Sequence, residues 1–197
     1  MDITVKNAKL ILEKYLNNPI TLNKYEHSLR VAQICKVLAQ RWKAPVQDAI
    51  IAGLLHDIGK SQSRQQMLSL CIRNNLTIYD FELFETPVAL HGKISSLLFE
   101  KEFDKNDSER FYKISQAITS HVTGNDKMSL LDKIVFIADN IEPQKNISLY
   151  NSFASNLIDT PDEFMLSIIN TKLANSNKKN RISNPMYYST LESLEKE

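Results

Sequence analysis

The sequence has few of the residues that mark special classes of protein. It contains only two cysteines, Cys35 and Cys71, among 197 residues, and they are too far apart for a CxxC redox or zinc motif. Buried, reduced thiols are therefore expected. The longest apolar run, residues 49–55, is far too short to span a bilayer, and the N-terminal residues lack a signal-peptide pattern. These absences predict a cytoplasmic protein with no membrane partner.

A surplus of charge of either sign is also missing. The chain has 24 Lys+Arg against 23 Asp+Glu, which gives a net charge of +1. Bulk electrostatics therefore give no reason to expect nucleic acid or a membrane as a partner. The hydrophobic share of 43% and the charged share of 24% are those of an ordinary globular chain, and the length fits one domain.

Glycine and histidine are both scarce, with four of each, yet the two residue types occur together. Every glycine lies within three residues of a histidine. Glycine is used where the backbone bends sharply or approaches another group closely. Its absence elsewhere predicts long helices, with irregular backbone confined to the region of the histidines.

Apolar residues recur at helical spacing along most of the chain. This period predicts helices over residues 24–40, from Pro45 to about Ile58, from Ser108 to the region of His121, over 126–141, and from Thr160 onward, where a cap is followed by Pro161. A further helix is expected from His91. Residues 76–81 are the one β-tolerant segment and cannot form a sheet alone, and residues 175–184 are polar enough to suggest a loop. The fold class predicted is all-α.

The first chemical signal is His56-Asp57, which ends an almost wholly apolar helical segment. Burying an imidazole and a carboxylate is costly unless both find partners. Metal coordination satisfies both groups at once, and this donor set suits iron, manganese or zinc. Asp139 ends the apolar run 134–139, and a buried aspartate needs a cation.

The other three histidines, His27, His91 and His121, also lie at the ends or on the faces of apolar helical segments. Taken singly, each is better explained as an ordinary core or surface residue, and Asp139 alone could pair with a lysine. Six such residues in the same kind of position are harder to explain that way. The joint pattern favours a metal site.

The order of these residues resembles that of the HD-domain superfamily of metal-dependent phosphohydrolases. The match is centred on Gly-Leu-Leu-His-Asp-Ile-Gly-Lys at residues 53–60. Three further segments are similar to the YqeK-type symmetrical diadenosine tetraphosphate hydrolases within that superfamily. They are His-Val-Thr-Gly at 121–124, Met-Ser-Leu-Leu-Asp-Lys at 128–133 and Ala-Asp-Asn-Ile-Glu-Pro at 138–143.

The resemblance implies a single domain over residues 1–197, with an HD helical bundle over about 20–145 and a C-terminal helical extension over about 146–197. It also implies that His27, His56, Asp57 and Asp139 hold a metal, with iron expected first and manganese or another divalent metal as alternatives. Two roles stay open for His91 and His121, which either bind a second metal or contact substrate phosphates.

The resemblance further implies catalytic roles for Asp57 and Lys60. The substrate-binding residues it suggests are Arg30, Lys60, His91, His121, Lys145, Arg181 and Tyr188, with Tyr187 as an alternative to Tyr188 against the base. The chain departs from the family pattern at Val122, where threonine is usual, at Lys145, where arginine is usual, and at Asn184, where histidine is usual. A lysine keeps the phosphate-binding charge but loses the bidentate fork of arginine.

The function implied is hydrolysis of diadenosine tetraphosphate to two ADP by metal-activated water, with a dinucleoside polyphosphate as the only expected partner. Two alternatives stay open. One is a different HD-type phosphohydrolase acting on nucleoside monophosphates, guanosine polyphosphates or cyclic dinucleotides. The other is a non-catalytic nucleotide-binding or RNA-associated module. The sequence leaves the oligomeric state open.

Overall fold

The computed structural model describes residues 1–155, 160–179 and 183–195, and within these ranges all regular structure is helical. The prediction of an all-α fold is confirmed, and residues 76–81 form no strand. None of the helices in these ranges has the length and apolarity needed to cross a bilayer. The α-helices are α1 (Val5–Leu16), α2 (Leu22–Arg41), α3 (Val46–Leu55), α4 (Arg64–Arg73), α5 (Asp80–Phe84), α6 (His91–Glu102), α7 (Ser108–Ser120), α8 (Leu130–Ile141), α9 (Ile147–Ala154), α10 (Pro161–Lys178) and α11 (Pro185–Leu194).

Side-chain caps fix where several helices begin. Thr160 accepts a hydrogen bond from the backbone of Glu163, whose side chain accepts one in return from Thr160, so α10 begins as predicted. The prediction that a helix begins at residue 126 was wrong. Ser129 forms a capping box with Asp132, and α8 therefore begins at Leu130.

Two other predicted boundaries were wrong. The helix expected to reach Ile58 ends at Leu55, and a separate 3₁₀ turn follows at Ile58–Ser61, which leaves His56 and Asp57 between the two. The segment 175–184, expected to be a loop, continues α10 as far as Lys178. It contains no glycine and no proline, so nothing in its first residues breaks the helix despite their polarity.

The centre of the bundle is α3, which packs against α1, α2, α7 and α8. Large side chains such as Phe99, Phe111, Phe136 and Phe164 are fully buried in the same hydrophobic core, and each stabilises the fold by about 1.5–3 kcal/mol. Cys35 and Cys71 are buried and free, as predicted. The segments that carry the histidines and Asp139 all meet at this core.

The C-terminal helices hold the loop that follows α7. Helix α10 packs on α8, and α11 packs on α10. From α11 the Tyr187 hydroxyl donates to the Val122 carbonyl at 3.4 Å, and Thr190 Oγ1 donates to the Asn125 carbonyl at 3.2 Å. These contacts fix the backbone immediately after His121.

Candidate metal centre

His56, His91 and His121 are placed by the same local device. Each is the residue that closes the C-terminal end of a helical segment, and its ring Nδ1 faces the carbonyl three residues earlier, at 2.8, 2.5 and 2.6 Å respectively. A carbonyl oxygen can only accept, so each Nδ1 must carry the proton. In the neutral ring, Nε2 then carries the lone pair and is directed away from the helix.

His27 and Asp139 reach the same point from the interiors of α2 and α8. His27 Nε2 lies 2.9 Å from Asp139 Oδ1, and His56 Nε2 lies 3.7 Å from the same oxygen. The two residues are 112 positions apart in the sequence, so packing of α2 against α8 makes this contact.

Asp57 lies between two groups of histidines and presents one oxygen to each. Its Oδ2 is 3.8 Å from His27 Nε2 and 3.5 Å from His56 Nε2, whereas its Oδ1 is 3.1 Å from His91 Nε2 and 3.6 Å from His121 Nε2. Two sets of atoms are close enough to hold a metal ion, and they share Asp57. The structure thus brings together all six residues predicted from the sequence as ligands.

Two glycines allow these segments to approach closely. A Cβ on Gly92 would lie 2.8 Å from the Thr119 carbonyl oxygen, so α6 reaches the end of α7 only because that atom is absent. A Cβ on Gly59 would lie 2.8 Å from the Ser95 backbone nitrogen and would also press on the His91 carbonyl. The glycines beside the histidines therefore set the separation between the ligand-bearing segments.

Three features of the cluster fit a divalent metal. His56 Nε2 and Asp57 Oδ1 are buried without a hydrogen-bond partner among the described residues, which is costly unless a cation satisfies them. His91 Nε2 and His121 Nε2 lie only 3.1 Å apart. With both Nδ1 atoms protonated, two lone pairs face each other, and a shared cation would stabilise that arrangement. The donors are imidazole and carboxylate, which suit iron, manganese and zinc.

The ionisation states of the cluster also suit metal binding. Burial lowers the pKa of His121 to about 3, so its ring is neutral near pH 7. Burial alone would raise the pKa of Asp57, but the nearby charges of His56 and Lys60 hold it well below its usual value. Burial alone would likewise raise the pKa of Asp139, but the nearby charge of Lys145 holds that pKa well below its usual value. A neutral His121 beside ionised carboxylates is in the form that coordinates a metal. Burial alone would lower the pKa of His56, but Asp57 and Asp139 outweigh it and raise that pKa, so metal binding at His56 displaces a proton.

A cleft of about 540 Å³ opens over the cluster and is lined by His27 and Asp57. Lys60 Nζ lies 2.6 Å from Asp57 Oδ2, Lys145 Nζ lies 2.6 Å from Asp139 Oδ2, and Arg30 Nε donates to Glu142 at 2.6 Å. Four cationic side chains line this cleft: Lys24, Arg30, Lys60 and Lys145. Such a surface suits a polyanion.

The remaining substrate-binding predictions fall elsewhere. Arg181 lies outside the residues that the structure describes. Tyr188 is 50% exposed and lines neither this cleft nor its neighbour. Tyr187, its alternative, lines a second cleft of about 300 Å³ together with His91 and Asn184.

Two residues at the clefts were missed by reasoning from the sequence. Glu142 is 1% exposed and lies 3.5 Å from His27 Nδ1 through its Oε2, where it orients that ring. Lys172 lines the second cleft. A signal for Lys172 was present, because it follows Ile168 and Ile169 by four and three residues and thus continues the apolar stripe of α10.

Comparison with known proteins identifies the family. The profile of the HD domain matches residues 25–144, which is more than half of the chain. The chain belongs to the HD domain family. All six candidate ligands lie inside the matched HD domain, whereas Lys145 and Lys172 lie beyond its end.

Relatives and a solved structure agree with the HD domain assignment. A symmetrical bis(5'-nucleosyl)-tetraphosphatase of Staphylococcus aureus is 34% identical over 149 residues, which are 74% of this chain and 70% of that protein. The enzyme of that name from Halalkalibacterium halodurans is 34% identical over 126 residues, which are 64% of each chain. The crystal structure of a protein described as a predicted HD superfamily hydrolase from Clostridium acetobutylicum superposes with a TM-score of 0.80 at 23% identity, covering 97% of this chain and 96% of that one. This last match shows the shared HD fold.

Proposed function

We propose that this protein hydrolyses diadenosine tetraphosphate symmetrically to two ADP. The observation that carries the proposal is the cluster of four histidines and two aspartates beneath a cation-lined cleft, in a chain 34% identical to a symmetrical bis(5'-nucleosyl)-tetraphosphatase. The cluster fits metal-assisted hydrolysis, and the cations fit a polyphosphate.

In the proposed reaction, the oxygen of a water molecule bonds to one of the two central phosphorus atoms. The bond from that phosphorus to the central bridging oxygen breaks, and the bridging oxygen leaves on the second ADP. When bound, a divalent metal supplies Lewis acidity and lowers the pKa of water into the neutral range. Asp57, ionised and buried at the centre of the cluster, would orient the water for attack, and the proton that the water loses would pass to solvent in the cleft.

The cations of the cleft would stabilise the negative charge that develops during this reaction. Lys60 is the nearest to the reacting atoms, because its Nζ lies 2.6 Å from Asp57 Oδ2. Arg30 and Lys145 lie along the same cleft and would bind phosphate oxygens further from the scissile bond. Fixed cations of this kind favour the transition state over the ground state.

We further propose that the cluster holds two metal ions that share Asp57, and that the ions are iron. Each oxygen of Asp57 faces a different pair of histidines, which supports two ions over one. Imidazole and carboxylate ligands suit iron, and manganese is the alternative. Elemental analysis of protein purified without chelators tests both the identity and the number.

We also propose that the protein acts in the cytoplasm. Both cysteines are buried and free, which is the usual state of cysteine in a reducing compartment. Fractionation of the source cells would test this, and recovery of the protein outside the cytoplasm would contradict it.

The activity test uses the purified chain with iron or manganese and diadenosine tetraphosphate. ADP as the sole product supports the proposal, whereas ATP plus AMP would contradict the symmetrical cleavage. Cleavage only of nucleoside monophosphates, guanosine polyphosphates or cyclic dinucleotides would support another HD-type hydrolase. Nucleotide binding with no cleavage and no metal would support a non-catalytic module.

A matched pair of variants tests the site itself. Asp57→Asn keeps the shape of the side chain but removes its charge, so we expect loss of metal and a fall in activity of at least about 100-fold. The control is Asp126→Asn, the same change at an exposed aspartate, which should keep both. A fully active Asp57→Asn enzyme would refute the assignment.

A further inference from the structure

A second cleft adjoins the first. It has a volume of about 300 Å³, and the two clefts share one lining residue, Val88. His91 lines the second cleft and also belongs to the metal cluster, because His91 Nε2 lies 3.1 Å from Asp57 Oδ1. The cluster is thus accessible from two sides.

Lys172 stands out among the residues of this second cleft. It continues the buried stripe of α10 formed by Met165, Ile168 and Ile169. Its Nζ lies 5.7 Å from the ring centre of Tyr187 and 6.0 Å from that of Phe136. A lysine placed on an apolar face in this way pays a desolvation cost.

Within the described part of the chain, no nearby carboxylate offsets that desolvation cost. Among the described residues, no aspartate or glutamate forms an ion pair with Lys172, and no acidic side chain lines the second cleft. Burial lowers the pKa of Lys172 below its usual value, and the more distant charge of Asp139 opposes this only in part. Lys172 therefore has no ion-pair partner among the described residues and is available to an anion that enters the cleft.

The other lining residues indicate which anion would fit. Asn175, Ser176 and Asn184 offer neutral hydrogen-bonding groups, while the rings of Phe81 and Tyr187 offer flat apolar surfaces. A phosphate joined to a planar base matches this combination, because the phosphate meets the cation and the base meets the aromatic rings. The second cleft therefore has the chemistry of a nucleotide site.

We propose that Lys172 binds the phosphates of one half of the substrate in the second cleft, while the other half lies in the first cleft. This inference rests on the proposed function, since symmetrical cleavage places the central anhydride at the cluster and a nucleoside on each side of it. The first cleft has four cations for its half, and the second has Lys172. Lys172 is thus a substrate-binding residue rather than a catalytic one.

The test compares Lys172→Met with Lys172→Arg and with a control, Lys178→Met, at an exposed position of the same helix. Because methionine suits the apolar stripe, we expect Lys172→Met to melt at the same or a higher temperature than the parent and to keep its metal. Its KM for diadenosine tetraphosphate should rise about tenfold or more, which is the loss of one charged phosphate contact. Lys172→Arg should restore most of the affinity, and the control should match the parent.

A purely structural role predicts the opposite pattern. A lower melting temperature for Lys172→Met with an unchanged KM would overturn the proposal. Calorimetric titration of the protein with ADP distinguishes a failure of the Lys172 proposal from a failure of the proposed function. If the parent protein does not cleave diadenosine tetraphosphate, the proposed function fails, yet ADP affinity still decides the role of Lys172. Weaker ADP binding by Lys172→Met, by about tenfold, supports the role, and equal binding refutes it.

Discussion

At the scale of single residues, the candidate site depends on which ring nitrogen of each histidine carries the proton. Three histidines donate from Nδ1 to a carbonyl at the end of their own helix, and this leaves Nε2 for the cluster. The local backbone therefore sets the orientation of each of these rings. His27 lacks such a carbonyl, and Glu142 faces its Nδ1 instead.

The two groups of ligands predict different outcomes for two substitutions. His121→Ala should lose one metal ion per chain and keep the other, because His121 belongs to the group of ligands that shares Asp57 with His91 and not to the group with His27 and His56. Asp57→Asn should lose both, because Asp57 belongs to both groups. Elemental analysis measures the metal content, and circular dichroism checks that both variants are folded. Equal metal content in the two variants would contradict a shared two-ion site.

At the scale of helices, close approach between α6 and α7 brings His91 and His121 together. Gly92→Ala would push a methyl group against the Thr119 carbonyl oxygen, where only 2.8 Å is available. We expect a loss of about 1–3 kcal/mol in the free energy of unfolding, accompanied by a lower metal content. Urea denaturation and elemental analysis measure the two effects.

The control for this change is Lys101→Ala, at an exposed position of α6. It should leave the free energy of unfolding within about 0.5 kcal/mol of the parent. Full metal content and parental stability in Gly92→Ala would show that the glycine does not set the spacing of the two histidines.

A second prediction at this scale concerns the contact between α1 and α6. Glu102 accepts hydrogen bonds from Lys14 at 2.5 Å and from the Tyr15 hydroxyl at 2.8 Å. Burial alone would raise the pKa of Glu102, but these two bonds hold it below its usual value of 4.5. Since Lys14 is largely exposed, Glu102→Gln should cost only about 1 kcal/mol at pH 7.

The loss of stability in Glu102→Gln should depend on pH. A carboxyl group whose pKa is lower in the folded than in the unfolded state stabilises the fold fully at pH values above its unfolded-state pKa. This stabilisation is lost as the pH falls through its folded-state pKa. The difference between Glu102→Gln and the parent should therefore shrink below pH 4.5. Urea titrations at several pH values measure it, and Glu13→Gln, at an exposed position of α1, serves as the control. A difference that stays constant with pH would contradict the role assigned to Glu102.

The sequence predicted the helical elements better than their contacts. The helix starting at Thr160 follows from a local cap, and the candidate metal ligands were predicted from polar residues that interrupt apolar runs. The role of Glu142 beside His27 could not be predicted, because the contact joins residues that lie far apart in the chain and depends on how α2 packs on α8.

At the scale of the whole molecule, the candidate ligands come from α2, from the turns after α3 and α7, and from α6 and α8. A metal bound by all of these segments would cross-link them, from His27 on α2 to Asp139 on α8. Because a ligand that binds only the folded state stabilises it, removal of metal should lower the thermal stability. At a metal concentration 100-fold above its Kd, the expected loss is about 2.7 kcal/mol.

Calorimetry with and without a chelator measures this effect. The Asp57→Asn protein should melt at one temperature in both conditions, since it retains no metal to remove. An unaltered melting temperature of the parent protein after complete removal of metal would contradict the view that the ion connects these helices.

The central claim is that water attacks a central phosphorus of a dinucleoside tetraphosphate at this cluster. The most direct test is the hydrolysis of diadenosine tetraphosphate in ¹⁸O-labelled water, with the products identified by mass spectrometry. Each turnover should give two ADP molecules, and one of the two should carry a single labelled oxygen on its terminal phosphate. Formation of ATP and AMP, or the absence of cleavage by the metal-loaded protein, would contradict the account.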